Sequence, residues 1–290
     1  MCIINKTFYL VNHKFKKKGK FMTNLKNKKI GFIGCGKMAS AIISGITSAK
    51  LTETHNITAS EINQDFARIK SEELSIKVLC NNNEVAKNSD IIFIATKPSQ
   101  VVDVLETLEL NETKLIVSIA AGVKISNIEK YTQKAPVIRV MPNAPLTVQE
   151  GMSAIVKGTF AKEEDVLIVK EILESLGKCI VTYESQIDIV TAISGSGPAF
   201  FYKIIHEMAL AGEKLGMSYK DALLLAEQTA LGSAKLMMNS KLTPTELIEN
   251  ISTKGGCTEV GVSVMNNADT ETLMNEVILK TKEKAEALGN

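Results

Sequence analysis

The chain has 290 residues, 45% of them hydrophobic and 23% charged. That is the balance of a globular protein, long enough to bury a core in one large or two medium domains without disulfides or metals. Lys and Arg total 34 against 32 Asp and Glu. The basic excess sits at the start, where Lys14, Lys16, Lys17, Lys18 and Lys20 crowd together. The remaining body is mildly acidic, which excludes a nucleic-acid footprint. The five cysteines form no CxxC pair and the three histidines lie far apart. This excludes zinc-type ligand spacing and reads as reduced thiols in a cytoplasmic protein. Apolar runs such as Ile91–Ala95 are far too short to span a bilayer.

Residues 1–27 contain no arginine and little amphipathic order, which argues against a transit peptide. They read as a solvated, disordered tail, or as sequence upstream of a start at Met22. Short apolar segments then predict strands over Lys29–Gly34, Asn56–Ser60, Ile76–Leu79, Asp90–Ala95, Thr113–Ile119 and Pro136–Met141. Helical spacing over Met38–Lys50 and Gln64–Leu74 separates the first of these. Such alternation predicts a parallel sheet with helices on both faces. After Tyr183 the period becomes helical throughout, with helices predicted over Pro198–Gly216, Ser218–Ser240, Pro244–Ile251 and Thr258–Leu288. Ser196, Ser218 and Thr243 stand at expected N-caps and Gly216 at an expected helix end. The fold class is therefore α/β plus all-α. A Rossmann-type dinucleotide-binding domain is expected over residues 28–183 and a helical domain over 184–290.

The first strand runs into Gly34-Cys35-Gly36-Lys37-Met38-Ala39, which opens the first helix. This is GxGxxA in the context that the dinucleotide fingerprint requires. Gly34 permits the tight turn, Gly36 lets a pyrophosphate approach backbone N–H groups, and Ala39 lets helix and strand pack closely. Ala95-Thr96-Lys97-Pro98 and Ser118-Ile-Ala-Ala-Gly122 end the fourth and fifth strands, where open α/β sheets bind ligands. Taken alone, these two stretches read equally well as plain strand-to-loop turns. In the helical half, Ser194-Gly195-Ser196-Gly197-Pro198 opens a long helix; it is either a donor-rich turn or a tight helix corner. Ser252-Thr253-Lys254-Gly255-Gly256-Cys257-Thr258 sets hydroxyls and adjacent glycines before another helix. It reads as an anion-binding helix terminus suited to a carboxylate, with an elaborate N-cap as the plainer alternative.

From about Lys29 to about Asn266 the chain resembles the pyrroline-5-carboxylate reductase family. The resemblance rests on GFIGCGKMA, ATKP, SIAAGV, RVMPNAP, DIVTAISGSGPAF and above all PTELIENISTKGGCTEVGV. It implies a Rossmann domain, a helical domain that interlocks with a second subunit, and an active site formed across the dimer. The implied cofactor is NADPH or NADH. Its positions fall on Ile33, Gly34, Cys35, Gly36, Lys37 and Met38, on Ser60 and Glu61 after the second strand, and on Asn82. They continue on Ala95, Thr96, Lys97 and Pro98, on Ala120 and Ala121, and on Asn250. The implied substrate, 1-pyrroline-5-carboxylate, falls on Gly255, Gly256, Cys257 and Thr258, with Ser194 and Gly195 beside them. Thr258 is placed at the ring nitrogen as the catalytic residue. The implied partner is a second copy of the chain, in a homodimer or a larger assembly of dimers, with no nucleic acid or membrane.

The chain departs from the family in two places. Asn267-Ala268-Asp269-Thr270 stands where a Gly-Phe-Arg segment is usual, and the residue after Ser60 is the acidic Glu61. A β-hydroxyacid dehydrogenase shares the two-domain plan, but needs a lysine in Gly-x-x-x-Lys-x-x-x-Asn to move the alcohol proton. Here Phe201 follows Gly197 at that spacing and Glu207 follows Lys203, so the pattern fails.

Overall fold

Strand β1, Ile30–Ile33, is buried at all four positions, because it lies in the middle of a sheet covered on both faces. The computed structural model describes residues 25–289. The other strands are β2 Ile57–Ser60, β3 Lys77–Leu79, β4 Ile91–Ile94, β5 Leu115–Ser118, β6 Val137–Met141, β7 Gly151–Lys157 and β8 Gly177–Thr182. They form one sheet in the order β3-β2-β1-β4-β5-β6-β7-β8. All neighbours run parallel except β6 and β7. Phe32 and Phe93 face each other across β1 and β4, their rings stacked with centroids 4.7 Å apart. Helix α1, Lys37–Ser48, packs Ile42, Ile43 and Ile46 on one face of the sheet. Helix α2 is Gln64–Leu74, and α3, Asn82–Lys87, covers the other face with Val85 and Ala86. Helices α4, Val101–Thr107, and α5, Ile125–Glu129, join α3 there, while α6, Glu163–Glu174, returns to the first face.

The six expected strands are present, each within two residues of its expected limits. The expected parallel sheet is extended by β7 and β8, which strand patterning did not single out. Their apolar centres, Ala154-Ile155-Val156 and Cys179-Ile180-Val181, are short and follow glycines. Those glycines are required by close approach: a Cβ on Gly177 would lie 2.1 Å from the Gly151 carbonyl oxygen, where the two strands begin side by side. The expected tail and the start at Met22 fall mainly on residues 1–24, outside the described residues. Leu25–Asn27 at the end of that segment forms a 3-10 turn with Leu25 in the core.

The described residues divide into two compact units. One comprises those up to Gly195 together with those from Lys282 onward, and the other is Ser196–Thr281. The first unit therefore also holds α7, Ile187–Val190, with Ile187 fully buried, and a π-helical turn over Thr191–Gly195. That turn runs on into α8, Gly197–Lys214, and Ser196 consequently makes no side-chain cap, contrary to expectation. Helix α9 is Tyr219–Asn239, capped as expected by Ser218, and α10 is Pro244–Ile251, where Thr243 and Glu246 complete a capping box. Gly216, at φ +98°, follows the end of α8 as expected. The single helix expected over Thr258–Leu288 is two, α11 Cys257–Asn267 and α12 Thr270–Leu288. Asp269 breaks it at φ +52° and accepts a bond from the Thr272 N–H at 3.2 Å.

Within the helical unit, buried positions are few and small, such as Ala209, Ala222 and Ala226. Phe201, Tyr202, Leu224, Met238, Val260 and Val264 are each more than 60% exposed. Apolar surface of that extent on consecutive helices marks an interaction face.

Candidate active site

The carboxyl ends of β1, β2 and β4 meet at the glycine-rich turn. The Gly34 N–H donates to the Ser60 carbonyl at 3.1 Å, the Ala95 N–H to the Ile33 carbonyl at 2.9 Å, and the Ile119 N–H to the Ile94 carbonyl at 3.2 Å. Gly34 sits at φ +93°, and a Cβ there would lie 2.9 Å from the Ala95 carbonyl oxygen. Only glycine allows this turn to close against β4. Gly36 differs, since nothing lies within 4 Å of where its Cβ would be. It is the N-cap of α1 and has no side chain to cap the free N–H groups. The Cys35 thiol is buried in the core, and burial pushes its pKa up to about 11. It stays neutral and places no negative charge in the turn.

Other expected cofactor positions gather on the same edge. Ile33 is buried, Lys37 exposed and Met38 half-buried around the turn. The Glu61 N–H donates to the Leu79 carbonyl at 2.8 Å, which sets Glu61 beside the loop leading to Asn82. Ala95 and Thr96 are half-buried, and Lys97 and Pro98 are exposed. Thr96 carries a buried hydroxyl with no partner among the described residues. Ala120 is buried and Ala121 exposed beyond β5. Ser60, another expected position, ends β2 beside the turn. Its hydroxyl is buried, lies 3.4 Å from the Phe32 carbonyl as donor and is approached by the Gly34 N–H at 3.4 Å, both long for hydrogen bonds. An open Gly36, uncapped N–H groups and the orphaned Thr96 hydroxyl fit the pyrophosphate of a dinucleotide.

At the far end of β6, Asn143 is a residue that sequence patterning did not select, although it lies in RVMPNAP. Its Nδ2 donates to the Ser194 carbonyl at 3.2 Å and to the Ser194 hydroxyl at 3.3 Å, and its Oδ1 accepts from the Met152 N–H at 2.8 Å. One amide thus ties the Ser194–Gly195 turn to the sheet. A Cβ on Gly195 would fall 2.8 Å from Met141 Cε, the mobile end of a side chain on β6. The signal in the sequence was an asparagine between two prolines, which points to side-chain bonding in a turn but not to its partner.

In the helical unit, the turn from Ser252 to Thr258 joins α10 to α11. Gly255 is at φ +76°, and a Cβ on Gly256 would fall 2.9 Å from the Thr253 carbonyl oxygen. Both glycines are therefore required. The Gly255 N–H donates to Glu259 Oε2 at 2.6 Å and the Gly256 N–H to the Thr253 carbonyl at 2.9 Å. The Cys257 and Thr258 N–H groups open the first turn of α11, where no intrahelical acceptor exists. Gly256 is the N-cap and makes no side-chain cap, so Thr258 does not serve as one. The Thr258 hydroxyl has no partner among the described residues. Asn250 is exposed near the end of α10.

Two family models match the chain. One, described as pyrroline-5-carboxylate reductase dimerisation, covers residues 184–288. The other, described as NADP oxidoreductase, coenzyme F420-dependent, covers residues 29–122. A pyrroline-5-carboxylate reductase of Methanosarcina acetivorans is 37% identical over 91% of this chain and 99% of its own length. Human pyrroline-5-carboxylate reductase 2 is 36% identical over 79% of this chain and 74% of that protein. Among solved structures, the Coxiella burnetii pyrroline-5-carboxylate reductase superposes with a TM-score of 0.86 at 28% identity, covering 91% of this chain and 99% of that one. The Plasmodium falciparum pyrroline carboxylate reductase, solved with NADP bound, gives 0.81 at 30% identity over 92% of this chain and all of that one. With these matches spanning both the sheet and the helices, the chain belongs to the pyrroline-5-carboxylate reductase family.

Proposed function

We propose that the chain reduces 1-pyrroline-5-carboxylate to L-proline with a nicotinamide dinucleotide as reductant. One observation carries this reading: the same chain holds a dinucleotide-shaped glycine turn and a second glycine-built turn with unspent donors at Cys257 and Thr258. Bound at the Rossmann edge, a reduced nicotinamide supplies a hydride to the imine carbon. The residues that would hold the cofactor are those of the Gly34–Met38 turn, Glu61, Asn82, the Ala95–Pro98 loop, Ala120 and Ala121.

The protein's own contribution is binding and orientation. The N–H groups of Cys257 and Thr258 hold the substrate carboxylate at the N-terminus of α11, where the helix dipole favours negative charge. Gly255 and Gly256 shape that turn, and their own N–H groups are already engaged with Glu259 and Thr253. The Thr258 hydroxyl hydrogen-bonds the ring nitrogen, donating to the lone pair that this nitrogen regains as the iminium becomes an amine. An imine nitrogen is basic enough to be attacked as its iminium, so no strong protein acid is required. Asn143 holds the Ser194–Gly195 turn against the end of the sheet.

The exposed apolar helices and the match to a dimerisation family support a homodimer through the helical unit. The free thiols of Cys35, Cys80, Cys179 and Cys257 fit a cytoplasmic enzyme. Among the described residues, no helix is long and apolar enough to cross a membrane. Purified protein is expected to oxidise NADH or NADPH when pyrroline-5-carboxylate is added, and not when small β-hydroxyacids are offered with the oxidised cofactor. Turnover of a hydroxyacid without turnover of the imine would overturn the assignment.

A further inference from the structure

We propose that Glu61 is a specificity residue that excludes the 2′-phosphate of NADP(H), so that this chain takes NAD(H) in preference. The inference rests on the reading that the carboxyl edge of the sheet binds a nicotinamide dinucleotide. In such folds the residue at the end of the second strand meets the adenosine ribose, and a carboxylate there accepts from the ribose hydroxyls.

Three observations place the Glu61 carboxylate at that point. Its N–H is pinned to the Leu79 carbonyl at 2.8 Å, which fixes the residue where β2 ends beside β3. Its Oε1 accepts from the Asn63 N–H at 3.3 Å, and the side chain remains partly exposed. Its charge is also felt by the Cys35 thiol within the glycine turn, so it borders the crevice in which the pyrophosphate fits.

The cations that follow β2 in the chain, on the next helix and strand, are each paired with a glutamate. Arg68 pairs with Glu72 at 3.3 Å. Lys70 pairs with Glu73 at 2.7 Å, lies 5.4 Å from the centre of the Phe66 ring and has a side chain only 12% exposed. Lys70 is the cation nearest to matter, because it too acts on the Cys35 thiol, but its ammonium is turned to the Glu73 carboxylate. Lys77 pairs with Glu84 at 3.2 Å on the neighbouring strand and helix. The Ser60 hydroxyl is buried and turned toward the Phe32 carbonyl of β1. A ribose hydroxyl meets an acceptor here, whereas a phosphate meets an uncompensated carboxylate. At partly screened distance such a like-charge contact shifts the affinity ratio about tenfold.

Isothermal titration of NAD+ and NADP+ into the full-length protein reads this without turnover. The parent is expected to bind NAD+ about tenfold more tightly than NADP+. Glu61→Gln keeps an acceptor for Asn63 and for the ribose but removes the charge. It should shift the ratio of NADP+ to NAD+ affinity about tenfold toward NADP+. Glu61→Ser should move the ratio in the same direction, which guards against a fault peculiar to one variant. A parent that binds NADP+ as tightly as NAD+, or a ratio unmoved in both variants, would overturn the role of Glu61. A parent that binds neither nucleotide would instead overturn the dinucleotide reading, and the inference with it.

Discussion

Thr258→Ala is expected to fold like the parent and lose most of its kcat/KM. Removing one preorganised donor at a reacting group costs about 2–4 kcal/mol of transition-state stabilisation. That is roughly a 30-fold to 1000-fold loss in rate. The fold should not suffer, because Gly256 caps α11 and the Thr258 hydroxyl supports no other described residue. Thr258→Ser, which keeps the hydroxyl, should recover most of the activity. Steady-state kinetics and thermal melting of both variants check this. Near-parental kcat/KM in the alanine variant would mean that the hydroxyl does not touch the reacting ring.

Two glycines only two residues apart in the fingerprint turn should differ in what they do to stability. Gly34→Ala forces a side chain into a left-handed conformation and sets a methyl 2.9 Å from a backbone oxygen that cannot rotate away. Strain of about 1–3 kcal/mol is expected for the conformation alone, with a similar amount for the contact. At about 2–4 °C per kcal/mol, the melting temperature should fall by several degrees or more. Dinucleotide affinity should fall at least tenfold as the turn deforms, an effect of about 1.4 kcal/mol. Gly36→Ala meets nothing within 4 Å in the protein itself. Its melting temperature should stay near the parent's, while dinucleotide affinity falls because the methyl fills space meant for the pyrophosphate. If Gly36→Ala binds the dinucleotide normally, that space is not the pyrophosphate site.

Much of this architecture was legible from local signals. The central strands are continuous apolar runs because both faces are covered, and the helix caps at Ser218 and Thr243 are side-chain features that sequence displays directly. What escaped depends on contacts between distant segments. Strands β7 and β8 are short and glycine-bounded, and they become strands by pairing with β6 and with each other. The break at Asp269 was hidden because helical spacing continues on both sides of it. Asn143 shows the same limit within the site. An asparagine in a proline loop carries no mark of the Ser194 turn, 51 residues away, that it holds. The glycine turns were legible because a positive φ and a close backbone approach are demands that only one residue type meets.

The central claim is that this chain transfers hydride to an imine carbon. The most direct measurement follows that hydrogen. Pyrroline-5-carboxylate is incubated with the protein and a reduced nicotinamide dinucleotide carrying two deuterium atoms at C4, and the product is analysed by mass spectrometry and NMR. The account predicts L-proline with one deuterium, on the ring carbon that was the imine carbon. Absence of proline, or proline without deuterium at that carbon, would contradict it.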